Sequence, residues 1–178
     1  YIFTHDSFYV GEDGATHQPI EHISSLRLIP DLLVMRPANE QETVESWLVA
    51  LENKNRPTSL ILTRQDIAPL FKDIKNENVY AGCRSGGYIM FKEEGELKCT
   101  IVASGSEVSL AVQVREKLGA NDWMRIVSMP CMELFLNQEK SYRDMIIPFN
   151  RKRIAIEAGT MRLWDQVVGN DALKIGVE

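Results

Sequence analysis

Short, almost wholly apolar runs alternate with helix-patterned segments along most of the chain. The runs LLVMRP at 32–37 and SLILT at 59–63 have the length of strands. Between them Asn39 can cap a helix whose first turn carries Glu40 and Glu42. Strand, helix and strand in this order form a βαβ unit, and continuously apolar short strands are typical of a parallel sheet covered on both faces. The sequence therefore predicts an α/β fold.

Further elements surround this unit. YIFT at the start has the pattern of a strand, residues 20–28 have that of a short helix, and the central helix carries four apolar residues at helical spacing. Those four are Val44, Trp47, Leu48 and Leu51.

A weaker pattern over 66–87, with a proline, three glycines and a polar middle, is typical of a linker between domains. We predict a boundary near Asn76, which gives domains at 1–75 and 76–178.

In the second domain, GYIMFK and LKCTIVAS flank Glu93, Glu94 and Gly95 and predict a hairpin. The α/β alternation then resumes, with helices at 106–118, 132–145 and 161–168 and strands at 124–130, 153–158 and 172–177. Both domains are thus expected to have mostly parallel sheets flanked by helices.

Composition excludes several classes of protein. The chain is 44% hydrophobic and 25% charged, as globular proteins are, and its net charge of -5 argues against a nucleic-acid partner. No apolar run approaches the roughly 20 residues of a membrane helix, so no membrane partner is expected. The three cysteines are odd in number and lack CxxC spacing, which disfavours disulfides and zinc and indicates a cytoplasmic protein. The chain begins at Tyr1 rather than methionine, so we expect a piece of something longer.

The most polar segment is THDSFYVGEDGATHQPIE at 4–21, and all three histidines of the chain lie within 5–22. Chemistry is often placed on loops held by a rigid scaffold, so this loop is the candidate site. From the residues alone, its ionisable groups fit metal ligands, acid–base groups, or turn and cap residues. These are His5, Asp6, Glu12, Asp13 and His17. Metal is the weakest alternative because the loop lacks HExxH or HxH spacing, whereas turn roles suit Asp6, Ser7 and Gly14.

The motifs THDS, GEDG and THQPIE, in this order, resemble the loop of transketolases. The likeness continues through LRLIPDLLVMRPANEQET and the TRQ of 63–65, and then through LKCTIVASGSEVSLA and IAIEAGT in the second half. Transketolases are thiamine diphosphate enzymes that transfer a two-carbon ketol unit between sugar phosphates in the pentose phosphate pathway. The resemblance implies the second half of the pyrimidine-binding domain, part of a thiamine diphosphate-binding fold, followed by most of the family's C-terminal domain, truncated at its end.

The resemblance also implies what lies outside this chain. It implies thiamine diphosphate and a divalent cation, Mg²⁺ or Ca²⁺, whose ligands belong mainly to a missing N-terminal domain, and a glutamate, also missing, that activates the aminopyrimidine. It implies a homodimer with the active site between subunits. We therefore assign no cofactor ligand and no metal ligand to this chain.

By the same resemblance, His17 is the catalytic acid–base and oxyanion-stabilising group. Asp13 accepts a hydrogen bond from the substrate's C2 hydroxyl, and His5 and Arg64 contact the substrate phosphate. One departure is Ala15, where the family commonly has proline. Arg36 is interpreted as structural.

Two motifs of the second half are interpreted as structural turns. In SGSEV, Ser106 is expected to cap a helix, and EAGT at 157–160 is expected to lead from a strand into a helix. No residue of this half is assigned to a site.

Other functions remain open. A related thiamine enzyme, dihydroxyacetone synthase or deoxyxylulose phosphate synthase, is one alternative, although the second lacks the HQPIE continuation seen here. A non-catalytic C-terminal fragment that acts in assembly is another, and the fragment alone is predicted to be inactive.

Overall fold

The computed structural model describes residues 1–67, 70 and 77–177. The first part is a three-stranded parallel sheet in the order β1-β3-β2, with helices and two 3₁₀ turns. Its elements are β1 (Ile2–Phe3), the turns Gly11–Asp13 and Ala15–His17, α1 (His22–Arg27), β2 (Leu33–Met35), α2 (Glu40–Glu52) and β3 (Thr58–Ile61). This is the βαβ arrangement that the apolar runs predict.

The second part is a five-stranded sheet in the order β4-β6-β5-β7-β8, parallel except for β4. Its strands are β4 (Tyr88–Phe91), β5 (Cys99–Ala103), β6 (Met124–Ser128), β7 (Lys152–Thr160) and β8 (Leu173–Val177). Its helices are α3 (Glu77–Ser85), α4 (Glu107–Lys117), α5 (Met132–Leu136), α6 (Lys140–Ile146) and α7 (Asp165–Val168). Buried clusters lie on both faces, one around Ile101 and Ile126 and the other around Val102 and Trp164. The mostly parallel α/β fold is confirmed.

The predicted hairpin is wrong, because β6 lies between β4 and β5. All five residues of β5 are buried, whereas buried and half-buried residues alternate along β4. A continuously apolar strand needs a neighbour on each side and cover on both faces, so β5 takes an inner position and β4 the edge. A buried ion pair between Arg125 and Glu93, with contacts of 2.6 and 2.8 Å, holds the end of β4 beside β6.

Helix α2 begins as predicted, with the Asn39 side chain accepting from the Glu42 N–H at 2.9 Å. Its apolar stripe is nevertheless exposed, as Val44 at 58% and Leu51 at 68% illustrate. The helix buries Glu42, which accepts hydrogen bonds from Tyr88 Oη at 2.9 Å and Ser128 Oγ at 2.6 Å. Partners on the second sheet satisfy the carboxylate, so the face that carries Glu42, Ser46 and Val49 packs inward. Burial raises the pKa of Glu42, although these bonds oppose the shift.

Three other predictions on the second half change. Part of the supposed linker over 66–87 is helix α3, while the boundary near Asn76 lies outside the described residues. EAGT lies within β7 rather than in a turn. Ser106 precedes α4, but its hydroxyl donates to Glu107 Oε1 at 2.6 Å instead of accepting from the helix backbone.

In the described part of the chain, no helix combines the length and apolar character needed to cross a membrane.

Candidate active site

The polar loop leaves β1 and folds back through its two 3₁₀ turns. Gly11 and Gly14 have φ values of 68° and 71°, in the left-handed region that glycine adopts without a steric penalty. The reversals bring three predicted site residues together. His5 Nε2 lies 3.4 Å from Asp13 Oδ2, and the rings of His5 and His17 have centroids 5.7 Å apart.

Arg64 joins this group from the end of β3, which is the parallel neighbour of β1. Parallel strands end at the same edge of a sheet, and that edge is where open α/β sheets bind ligands. The Nε of Arg64 lies 2.5 Å from Asp13 Oδ2. The structure therefore gathers all four sequence-predicted site residues, although Arg64 is about 50 residues from the loop in the sequence.

The group is open to a ligand. The side chains of His5, Asp13 and Arg64 are 36%, 27% and 40% exposed, and His17 is exposed as well. Thr16 Oγ1 lies 2.9 Å from Nδ1 of His17, so Nε2 is the ring nitrogen left for a ligand. An apolar cavity of about 340 Å³ adjoins His5 and is lined in part by Phe3 and His22.

The carboxylate of Asp13 lies between a guanidinium and an imidazole, so the group combines both signs of charge. A guanidinium can donate to an anionic oxygen, and a carboxylate can accept from a hydroxyl or an N–H, so the group offers hydrogen bonds in both directions. Among the described residues, no group of three or more His, Cys, Asp or Glu side chains is arranged to hold a metal ion. Glu12, in the first 3₁₀ turn, is exposed.

Asp6 and Ser7 are buried beneath the loop rather than displayed on it. Asp6 accepts hydrogen bonds from Arg36, which is fully buried at the end of β2. The sequence left Asp6 open as a metal ligand, an acid–base group or a turn residue, the last being a role that suits it, and did not predict this ion pair. A charged residue directly after an apolar strand was the available signal.

Two family profiles match the chain. Residues 1–69 match the transketolase pyrimidine binding domain, and residues 86–178 match the transketolase-like C-terminal domain. A transketolase of Staphylococcus epidermidis is 45% identical over 99% of this chain, and one of Physarum polycephalum is 44% identical over 100%. The chain covers 27% of each of these proteins.

Solved structures agree. Transketolase from Leishmania mexicana superposes with a TM-score of 0.88 at 39% identity, over 99% of this chain and 25% of that one. A Pichia stipitis transketolase in complex with sedoheptulose-7-phosphate superposes with a TM-score of 0.86 at 32% identity, over 98% of this chain and 25% of that one. The chain belongs to the transketolase family.

Proposed function

We propose that this chain is part of a thiamine diphosphate-dependent transketolase that transfers two-carbon ketol units between sugar phosphates. The observation that carries the proposal is the meeting of His5, Asp13, His17 and Arg64 at one sheet edge. Because the chain spans about a quarter of its relatives' length, the proposal concerns the whole enzyme. A cytoplasmic homodimer that uses Mg²⁺ or Ca²⁺ is part of the proposal.

The residues present fit thiamine diphosphate, because His17 is a group that can exchange a proton at the reactive end of the cofactor. When bound, thiamine diphosphate supplies the carbanion chemistry that cleaves and forms the carbon–carbon bond in ketol transfer. His17 is exposed and has Nε2 available, so it can hold or release a proton next to the substrate carbonyl oxygen. We assign it the acid–base role and the stabilisation of negative charge on that oxygen.

Arg64 and His5 would bind the phosphate at the far end of the substrate. A guanidinium donates two parallel hydrogen bonds to phosphate oxygens, and a lysine does not reproduce this fork. His5 Nε2 and Arg64 Nε both lie near Oδ2 of Asp13, so the imidazole can add a further donor close to the guanidinium. In this proposal the two side chains would donate to the same phosphate.

Asp13 would select the configuration of the substrate at C2. Its carboxylate accepts hydrogen bonds, so a C2 hydroxyl of the correct configuration satisfies it, whereas the epimer leaves a polar group unpaired. Its ion pair with Arg64 links this selection to phosphate binding.

The test is an assay of the full-length enzyme loaded with thiamine diphosphate and a divalent cation. We expect ketol transfer from a phosphorylated ketose to a phosphorylated aldose, and weaker transfer with unphosphorylated sugars. Efficient transfer to formaldehyde would favour the dihydroxyacetone synthase alternative. Decarboxylation of pyruvate with condensation would favour the deoxyxylulose phosphate synthase alternative.

The isolated chain is expected to bind no thiamine diphosphate and to show no turnover. Calorimetric titration of the 178-residue chain tests this, and tight binding would contradict it. An isolated chain that assembles with other subunits while remaining inactive would support the role in assembly.

A further inference from the structure

A buried network of charges lies directly beneath the polar loop and joins the two sheets. At its centre Arg36 donates from Nε and Nη2 to Oδ2 of Asp6, at 3.1 and 2.6 Å. Its Nη1 donates to the carbonyl oxygen and Oγ of Ser104, at 3.0 and 3.1 Å, and to Oε2 of Glu107. One guanidinium thus contacts the loop with one edge and the second sheet with the other.

The second sheet holds this guanidinium through two buried carboxylates. Glu107, at the start of α4, also accepts from the backbone N–H of Ala158 at 2.9 Å. Glu157, in β7, has an oxygen 3.6 Å from Arg36 Nη1. It also accepts from Ser104 Oγ at 2.8 Å and from the guanidinium of Arg27 at 2.8 and 2.9 Å. The carboxylates are therefore fixed by bonds of their own.

Gly105 shows that the backbone is shaped around Arg36. Its φ is +57°, and a Cβ at this position would come within 2.7 Å of Arg36 Nε. Only glycine combines this conformation with so close an approach. The SGSE segment at 104–107 thus encloses one side of the arginine.

We propose that Arg36 is a positioning residue for substrate binding, anchored by Glu107 and acting through Asp6 on the adjacent His5. The inference rests on the proposed function, because it is the phosphate-binding role of His5 that Arg36 would support. A planar guanidinium with fixed partners on both sides transmits position better than a flexible contact. The second half of the chain, from which no site residue is assigned by sequence, thereby contributes to the active site without touching substrate.

The kinetic test uses the full-length holoenzyme with Arg36→Met, Glu107→Gln and Gly105→Ala. Small misplacements of a binding group can lower rates by roughly 100-fold. Because the group displaced here is the phosphate-binding His5, we expect the loss to appear as a rise of about tenfold or more in KM for a phosphorylated donor. KM for an unphosphorylated ketose should change much less. Arg125→Met is the matched control, since it also removes a buried arginine that is paired with a carboxylate. It should lower the melting temperature without changing the ratio of the two KM values.

A second readout does not depend on activity. Hydrogen exchange of the peptide spanning 4–18, followed by mass spectrometry, should speed up at least about tenfold in Arg36→Met and Glu107→Gln but not in Arg125→Met. Unchanged exchange and unchanged KM in the folded variants would overturn the proposal. If Arg36→Met does not fold, Glu107→Gln decides, because it keeps the shape of the side chain. An inactive wild type would refute the proposed function, and the exchange result would still decide whether Arg36 positions the loop.

Discussion

The Nε of Arg64 lies 2.5 Å from Oδ2 of Asp13, so the predicted phosphate-binding cation and the predicted hydroxyl-binding carboxylate form one ion pair. The same carboxylate oxygen lies 3.4 Å from Nε2 of His5. Residues that share a partner have non-additive effects on substitution. A substitution at Arg64, Asp13 or His5 should therefore change both the selection of the substrate's configuration at C2 and the binding of its phosphate.

Arg64→Ala should raise KM for phosphorylated substrates by roughly 10- to 100-fold with little change in kcat, because a charge-assisted hydrogen bond contributes about 1.5–3 kcal/mol. Arg64→Lys should recover only part of the loss, since the ammonium lacks the planar fork. Steady-state kinetics of the full-length enzyme measure both effects. An unphosphorylated ketose is the internal control, and an equal rise in its KM would contradict the phosphate role.

His17→Ala should lower kcat by roughly 100- to 10,000-fold, the range for loss of a general acid–base group. His22→Ala is the matched control, because this exposed histidine lines the adjacent cavity but is not among the mutually contacting residues His5, Asp13 and His17. Initial rates at saturating substrate separate the two variants. Similar kcat values for both variants would remove the catalytic role from His17.

Asp13→Asn should reduce discrimination between acceptor aldoses that differ in configuration at C2. An amide can donate as well as accept, so the epimeric hydroxyl no longer leaves a group unpaired. We expect the ratio of kcat/KM values for the two epimers to fall by about tenfold or more. Preserved selectivity with uniformly weaker binding would indicate that Asp13 only orients Arg64.

Ala15→Pro should stabilise the enzyme by about 0.4–1 kcal/mol and retain activity. Ala15 opens a 3₁₀ turn, whose φ range suits proline, and Gly14 before it has a ψ of -175°, outside the α region that proline disfavours. Urea unfolding measures the change. Gly14→Ala, at a φ of 71°, is the contrasting variant and should be destabilising. A destabilised Ala15→Pro would mean that the loop needs the flexibility of alanine.

The stability of the fold should depend on Glu157 at acid pH. Burial alone would raise the pKa of this carboxyl, but the charges of Arg27 and Arg36 and hydrogen bonds from Arg27 and Trp164 hold it at about 2, below its ordinary 4.5. A lowered folded-state pKa contributes stability above pH 4.5 that is lost as the pH falls towards 2. The contribution is about 3 kcal/mol.

Urea unfolding of wild type and Glu157→Gln between pH 2 and 6 tests this expectation. The difference in the free energy of unfolding between the two proteins should shrink as the pH falls through this window. A constant difference from pH 6 down to pH 2 would show that the carboxylate is not held ionised by its arginines.

Much of the architecture could be predicted from the sequence because it depends on local patterns. The apolar runs at 32–37 and 59–63 predict strands, Asn39 predicts the start of α2, and Gly14 suits a turn within the polar loop. Each signal acts within a few residues, through burial, capping or backbone sterics. The order and spacing of the loop motifs likewise sufficed to indicate the transketolase family.

The tertiary structure decided what depends on partners distant in the chain. It placed β6 between β4 and β5, turned the Glu42 face of α2 inward and surrounded Arg36 with carboxylates. Arg36 and Glu107 are 71 residues apart, and no local pattern reports that one will satisfy the other. Burying a charge is favourable only when its partners are in place, and it is the packing of the two sheets that brings those partners together.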